Sequence, residues 1–161
     1  MVESSAPILS EFESIIKAEP DLIIERPGFL YLGNQKHASN MEVLKKYGIQ
    51  VVLQITGDET VPPHGSNFEY HRFVFEDRET VEIMEHLIRA IGIIEKCHKE
   101  GKRVFVHCAA GISRSASFVI AYVMKTHQLA FPEALKLVHR ERPCIGPNEG
   151  FKKTLATLQF N

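Results

Sequence analysis

The chain has 161 residues, enough for one domain that buries a core of its own. Its 44% apolar and 24% charged residues are ordinary for a globular protein, and a formal net charge of −1 lacks the basic excess of a general nucleic-acid binder. No apolar run reaches the ~18 residues of a membrane span, the first residues lack a basic-then-apolar leader pattern, and neither Val2 nor the final Thr-Leu-Gln-Phe-Asn offers a lipidation signal.

In chain order, Ile8, Leu9, Phe12, Ile15 and Ile16 fall on one face of a helix over 8–17, read as packing on the domain that follows. Residues 21–25 and 29–32 read as strands separated by the Pro27-Gly28 turn signal. Ser39 or Asn40 caps a helix carrying Met41, Leu44 and Tyr47, which Gly48 ends. Residues 50–55 are β-branched and bounded by turn residues, as in a buried strand. A Gly- and Pro-containing loop, 56–67, leads to another strand at 70–75.

Thr80 opens a long amphipathic helix with Met84, Leu87, Ile88, Ile91 and Ile94 inward, closed near Gly101. Residues 103–106 form a fifth strand, followed by a sharp turn. Three helices finish the chain: 115–126, apolar on most faces; 132–141, with Pro132 in its first turn; and one starting near Asn148. Strands alternating with helices specify an α/β domain. Its mixed, mainly parallel sheet has about five strands, flanked by about six helices.

The chemically informative stretch is Val-Phe-Val-His-Cys-Ala-Ala-Gly-Ile-Ser-Arg-Ser-Ala-Ser-Phe, 104–118. A buried strand delivers Cys108 to a tight loop, and a helix begins at about Arg114. Consecutive N–H groups of such a loop converge on one point, and the helix N-terminus adds partial positive charge. Gly111 can take the positive φ the curl needs. Arg114 presents a planar fork for two phosphate oxygens. The backbone of Ala109, Ala110, Gly111, Ile112 and Ser113, with Arg114, therefore makes a cradle for a phosphate dianion. The same field stabilises a thiolate on Cys108, the form that attacks phosphorus. His107 is placed to hold the loop by hydrogen bonding, and Ser115 to donate to the thiolate as it leaves.

His107-Cys108-x-x-Gly111-x-x-Arg114-Ser115 resembles the HCxxGxxR(S/T) signature of the protein tyrosine phosphatase superfamily, and its surroundings resemble the dual-specificity branch. Residues 28–56 are similar to that family's opening strand, helix and strand, and 140–151 to its closing segment, where the resemblance gives Asn148 a bracing role. With no rhodanese-like unit ahead of it, the chain is nearest the small, single-domain atypical members. Residues 1–20 are then a helical segment packed on the domain, and 21–161 the catalytic domain.

The resemblance implies catalysis through a phosphocysteine, without metal or cofactor, and a proton donor for the leaving hydroxyl on a loop opposite the cradle. The loop after the 70–75 strand carries Glu76, Asp77 and Glu79. Asp77 has a separation from Cys108 similar to that of the family's acid, and either glutamate is the alternative.

The cradle's variable positions, Ala109, Ala110, Ile112 and Ser113, add no charge. Relatives that act on phosphoinositides carry lysines there, so phosphorylated proteins are the expected substrates. A shallow cleft admitting phosphotyrosine, phosphoserine and phosphothreonine follows from the resemblance. The alternatives are a phosphoprotein-binding scaffold without turnover and a phosphatase of non-protein substrates. Neither nucleic acid, membrane nor metal is an expected partner, and a monomer is favoured over an oligomer. The seven histidines other than His107 show no metal-binding spacing. Cys97, Cys108 and Cys144 are few, odd in number and unpatterned. They suit reduced thiols in the cytoplasm or nucleus rather than a disulfide framework, Cys97 and Cys144 being ordinary cysteines.

Overall fold

The computed structural model describes residues 13, 17, 19–25, 28–59, 62 and 64–160. The helix expected over 8–17 lies outside the described residues, apart from Glu13 and Lys17. Five strands, β1 (Asp21–Glu25), β2 (Gly28–Gly33), β3 (Ile49–Thr56), β4 (Glu69–Val74) and β5 (Arg103–His107), form one sheet in the order β1-β2-β5-β3-β4. Among the described strands only the β1–β2 pair is antiparallel, so the sheet is mixed and mainly parallel.

Six helices are described: α1 (Gln35–Ser39), α2 (Met41–Lys46), α3 (Met84–Lys99), α4 (Arg114–His127), α5 (Phe131–Glu141) and α6 (Glu149–Thr157). The chain is thus the α/β fold expected. Period-two alternation divides the core. Val104, Val106 and Cys108 join the large apolar cluster that includes α3, α4, α5 and α6, whereas Phe105 joins a smaller one with Ala38 and Leu44 of α1 and α2. Burial on both faces accounts for the near-continuous apolar runs of β3 and β5. The last strand to form in sequence is the middle strand in space. The loop after β5 therefore opens at the carboxyl edge of the sheet, beside the β2-to-β3 crossover through α1 and α2 on one face and the β4-to-β5 crossover through α3 on the other.

Three local readings change. Ile88, expected on the inward face of the long helix, is 58% exposed. Helix α3 starts at Met84 rather than Thr80. Residues 75–83 are held in an irregular path: Gly150 lies so close to the backbone of Glu79 that a Cβ there would come within 2.0 Å of its carbonyl oxygen, and Ile83 is fully buried. Helix α1 was not expected. It is short, and a reciprocal cap secures it, the Asn34 carboxamide accepting from His37 N–H while His37 Nδ1 accepts from Asn34 N–H, each at 3.0 Å.

Candidate active site

The loop from Cys108 to Arg114 is shaped from outside. A trans peptide turns its N–H opposite to its C=O, so the carbonyl partners tell where the amides face. Every carbonyl from Cys108 to Ser113 is occupied. That of Cys108 accepts from His107 Nδ1 at 3.3 Å, and that of Ala109 from Gln35 N–H at 3.0 Å. Arg142 serves the next two, its Nη2 donating to Ala110 at 3.3 Å and its Nε to Gly111 at 2.9 Å. Gly146 N–H donates to Ile112 at 2.8 Å, and Ser117 donates twice to Ser113, from N–H at 3.0 Å and Oγ at 2.8 Å. With its carbonyls turned outward, the loop turns its N–H groups to the concave side. Gly111 makes the bend at φ +67°, pressed so closely on Gly33 that an added Cβ would lie 2.4 Å from the Gly33 carbonyl oxygen.

Cys108 is buried, with Sγ 3.1 Å from Ser115 Oγ in the first turn of α4. Arg114 begins the same helix. One arm of its fork, Nη1, donates to the Phe75 carbonyl at 3.2 Å, while its buried Nε has no hydrogen-bond partner. The side chains of Ala109 and Ala110 are exposed and uncharged. His107 points to the opposite face of the sheet, stacked on Phe105 at 5.4 Å between centroids. Burial pushes its imidazole down to about 4, so it is neutral near pH 7. Its bond to the Cys108 carbonyl assigns the proton to Nδ1. His107 therefore meets the backbone of the loop, and Ser115 meets the sulfur.

Asp77 reaches the loop from the β4–α3 connection. Its Oδ1 accepts from Ser113 Oγ at 2.7 Å and from Asn148 Nδ2 at 2.8 Å, and Ser113 Oγ in turn accepts from Asn148 N–H at 2.9 Å. Glu76 turns away to Arg78, at 2.7 Å. The structure thus brings Asp77, Ser113, Asn148, Cys108, Arg114 and Ser115 together around one loop. Two residues of the assembly are absent from the sequence reading: fully buried Arg142, and Asp21, whose Oδ2 accepts from Arg142 Nη1 at 2.9 Å. The only local signals were an aspartate opening an apolar strand and an arginine just before Pro143. Among the described residues there is no group of three or more His, Cys, Asp or Glu side chains arranged for a metal ion, and no helix long and apolar enough to cross a membrane.

Comparison with known proteins agrees with this fold. The family description "Dual specificity phosphatase, catalytic domain" matches residues 30–160. A probable rhodanese domain-containing dual specificity protein phosphatase of Dictyostelium discoideum is 39% identical over 132 residues, 81% of this chain and 27% of that protein. Curated relatives of this kind are longer chains, of which this one spans 15% to 41%. Among solved structures, the human tyrosine phosphatase-like serine/threonine/tyrosine-interacting protein superposes with a TM-score of 0.80 at 34% identity, covering 86% of this chain and 94% of that one. DUSP15 superposes with 0.79 at 32% identity, covering 86% of each.

Proposed function

Given that the chain belongs to the dual-specificity phosphatase catalytic-domain family, we propose that it hydrolyses phosphotyrosine, phosphoserine and phosphothreonine in proteins through a phosphocysteine on Cys108. The observation that carries this reading is the outward satisfaction of all the loop carbonyls around a buried thiol, which leaves a ring of N–H groups and the free Nε–H of Arg114 for an oxyanion.

The Cys108 thiolate attacks phosphorus in line with the ester oxygen. The S–P bond forms as the P–O bond breaks, and the loop amides and Arg114 carry the charge of the equatorial oxygens. Asp77 gives its proton to the departing oxygen. As carboxylate it then takes a proton from the water that attacks phosphocysteine, releasing phosphate. Ser115 Oγ, 3.1 Å from Sγ, donates to the sulfur as it leaves. Asn148 and Ser113 aim the Asp77 carboxyl, and neutral His107 fixes the peptide that follows it.

Residues 21–161 act as the catalytic unit, with no metal or cofactor. The uncharged cradle and exposed Ala109 and Ala110 favour single-phosphate protein substrates over phosphoinositides. Three cysteines, none in a disulfide, suit a reducing compartment, cytoplasm or nucleus, and a role in reversing kinase signals. A binding-only reading has the support of the phosphatase-like interacting protein among the solved structures, but Cys108, Arg114 and Asp77 are all present here. The deciding experiment is vanadate-sensitive hydrolysis of an aryl phosphate and of a phosphopeptide panel, with Cys108→Ser as control. Turnover lost in the variant supports the proposal. Absence of turnover in the wild type, with phosphopeptides still bound, selects the scaffold, and hydrolysis of phosphotyrosine alone removes dual specificity.

A further inference from the structure

Two consecutive carbonyls of the phosphate loop, those of Ala110 and Gly111, rest on one side chain, that of Arg142. Arg142 is fully buried at the end of α5, where a lone guanidinium carries a large desolvation penalty. Asp21, itself 2% exposed, supplies a counter-charge, with Oδ2 on Arg142 Nη1 at 2.9 Å. The other oxygen, Oδ1, accepts from Lys17 Nζ at 2.7 Å. Asp21 opens edge strand β1 and lies outside the residues 30–160 matched by the family.

We infer that Asp21 is a positioning residue for phosphoryl transfer, acting through Arg142 on the loop. The physical sequence is short. The carboxylate keeps Arg142 buried and oriented. The fork then holds the Ala110 and Gly111 carbonyls outward, and the amides of the same peptides consequently face the substrate phosphate. Gly111 is closely backed on the side where a Cβ would stand, by Arg142 Nη2 and the Gly33 carbonyl. An edge strand ahead of the family's common region is therefore wired to the oxyanion site by one ion pair and two hydrogen bonds.

The inference rests on the phosphatase reading, and its test separates the two. Vanadate affinity, kcat and KM on an aryl phosphate, and the rate of Cys108 alkylation by iodoacetate at neutral pH are measured for wild type, Asp21→Asn, Asp21→Glu and Arg142→Lys. Melting temperature is followed in parallel. Asp21→Asn is expected to lose about tenfold to a hundredfold in kcat and in vanadate affinity, and to slow alkylation, because a loop displaced by a fraction of an ångström misaligns the oxyanion donors. Asp21→Glu restores the charge and recovers most of both. Arg142→Lys, which keeps the ion pair but cannot span two carbonyls, behaves like Asp21→Asn even if that variant does not fold. Unchanged vanadate affinity and alkylation, with only the melting temperature lowered, would overturn the positioning role. An inactive wild type that still binds vanadate overturns the phosphatase reading instead, while the vanadate and alkylation differences continue to test Asp21.

Discussion

Asn148 holds Asp77 with one end of its carboxamide and begins helix α6 with the other: Nδ2 donates to Asp77 Oδ1 at 2.8 Å, and Oδ1 accepts from Phe151 N–H at 2.9 Å. One side chain thus serves a candidate general acid and a helix cap, and two substitutions separate these duties. Asn148→Asp keeps the cap acceptor but sets a second carboxylate against Asp77. Its stability should stay within about 1 kcal/mol of wild type while hydrolysis slows by about tenfold or more. Asn148→Ala should slow comparably and also lose about 1 kcal/mol of stability. Urea unfolding and steady-state kinetics on the same preparations give both numbers.

Asp77→Asn leaves both donors from Ser113 and Asn148 with an amide oxygen to bind, so the connection should keep its shape. The proton is what disappears. Hydrolysis of phosphoserine peptides, whose alkoxide is a poor leaving group, should fall by about 10²–10⁴. An aryl phosphate with an acidic phenol should lose much less, and vanadate affinity should hold. The measurement is kcat against leaving-group pKa, steep in the variant and shallow in the wild type. Equal losses across the series would transfer the role to Glu76 or Glu79.

Gly111 and Gly101 share a positive φ, +67° and +69°, but not a neighbourhood: a Cβ on Gly101 meets nothing within 4 Å. Gly101→Ala should therefore carry only the left-handed penalty of about 1–2 kcal/mol, with kcat unchanged. Gly111→Ala adds a collision with the Gly33 carbonyl and Arg142, and should lose vanadate binding as well as stability. Calorimetric melting with vanadate titration distinguishes the pair.

His107 supplies a pH dependence of stability. Its folded-state value of about 4 lies below the ordinary 6.5 because burial disfavours the imidazolium. Between those values the unfolded chain binds a proton that the folded chain does not, so stability is full above pH ~6.5 and falls as pH drops toward ~4. One such group contributes on the order of 3 kcal/mol over that window. Burial also lowers His37 and His86, which add to the same slope. Urea midpoints from pH 7 to 4 should show the decline, and His107→Gln should reduce it by about one proton's worth. A flat profile in the wild type would contradict the buried neutral imidazole.

The candidate site was legible in sequence because it is local. The strand, Cys108, Gly111, Arg114 and the helix that follows fall within one short stretch, and strand periodicity alone puts Cys108 and His107 on opposite faces. What braces the loop was not legible, because it is remote. Asp21 and Arg142 are 121 positions apart, and Arg142 sits in Arg-Glu-Arg-Pro, which in composition is indistinguishable from a solvated charge run. The α3 boundary failed for the same kind of reason. Thr80 has the chemistry to start a helix, but its loop is pinned through Asp77 and Glu79 to residues some seventy positions later. Helix α1 escaped because its cap pairs asparagine with histidine, outside the usual Ser/Thr-to-Glu pattern.

Helix α4 is buried without interruption from Ser115 to Met124. Its amides have no partial opening that spares the core, so they should exchange with solvent only when the whole domain comes apart. The anion cradle is tethered to this slowest-exchanging segment. Asp77, by contrast, follows β4, an edge strand with a ladder on one side only. Local fluctuation should therefore be lopsided: the free edge of β4 exchanges well before α4, and the Ser113 and Asn148 hydrogen bonds to Asp77 are what keep the connection after it seated on the cradle.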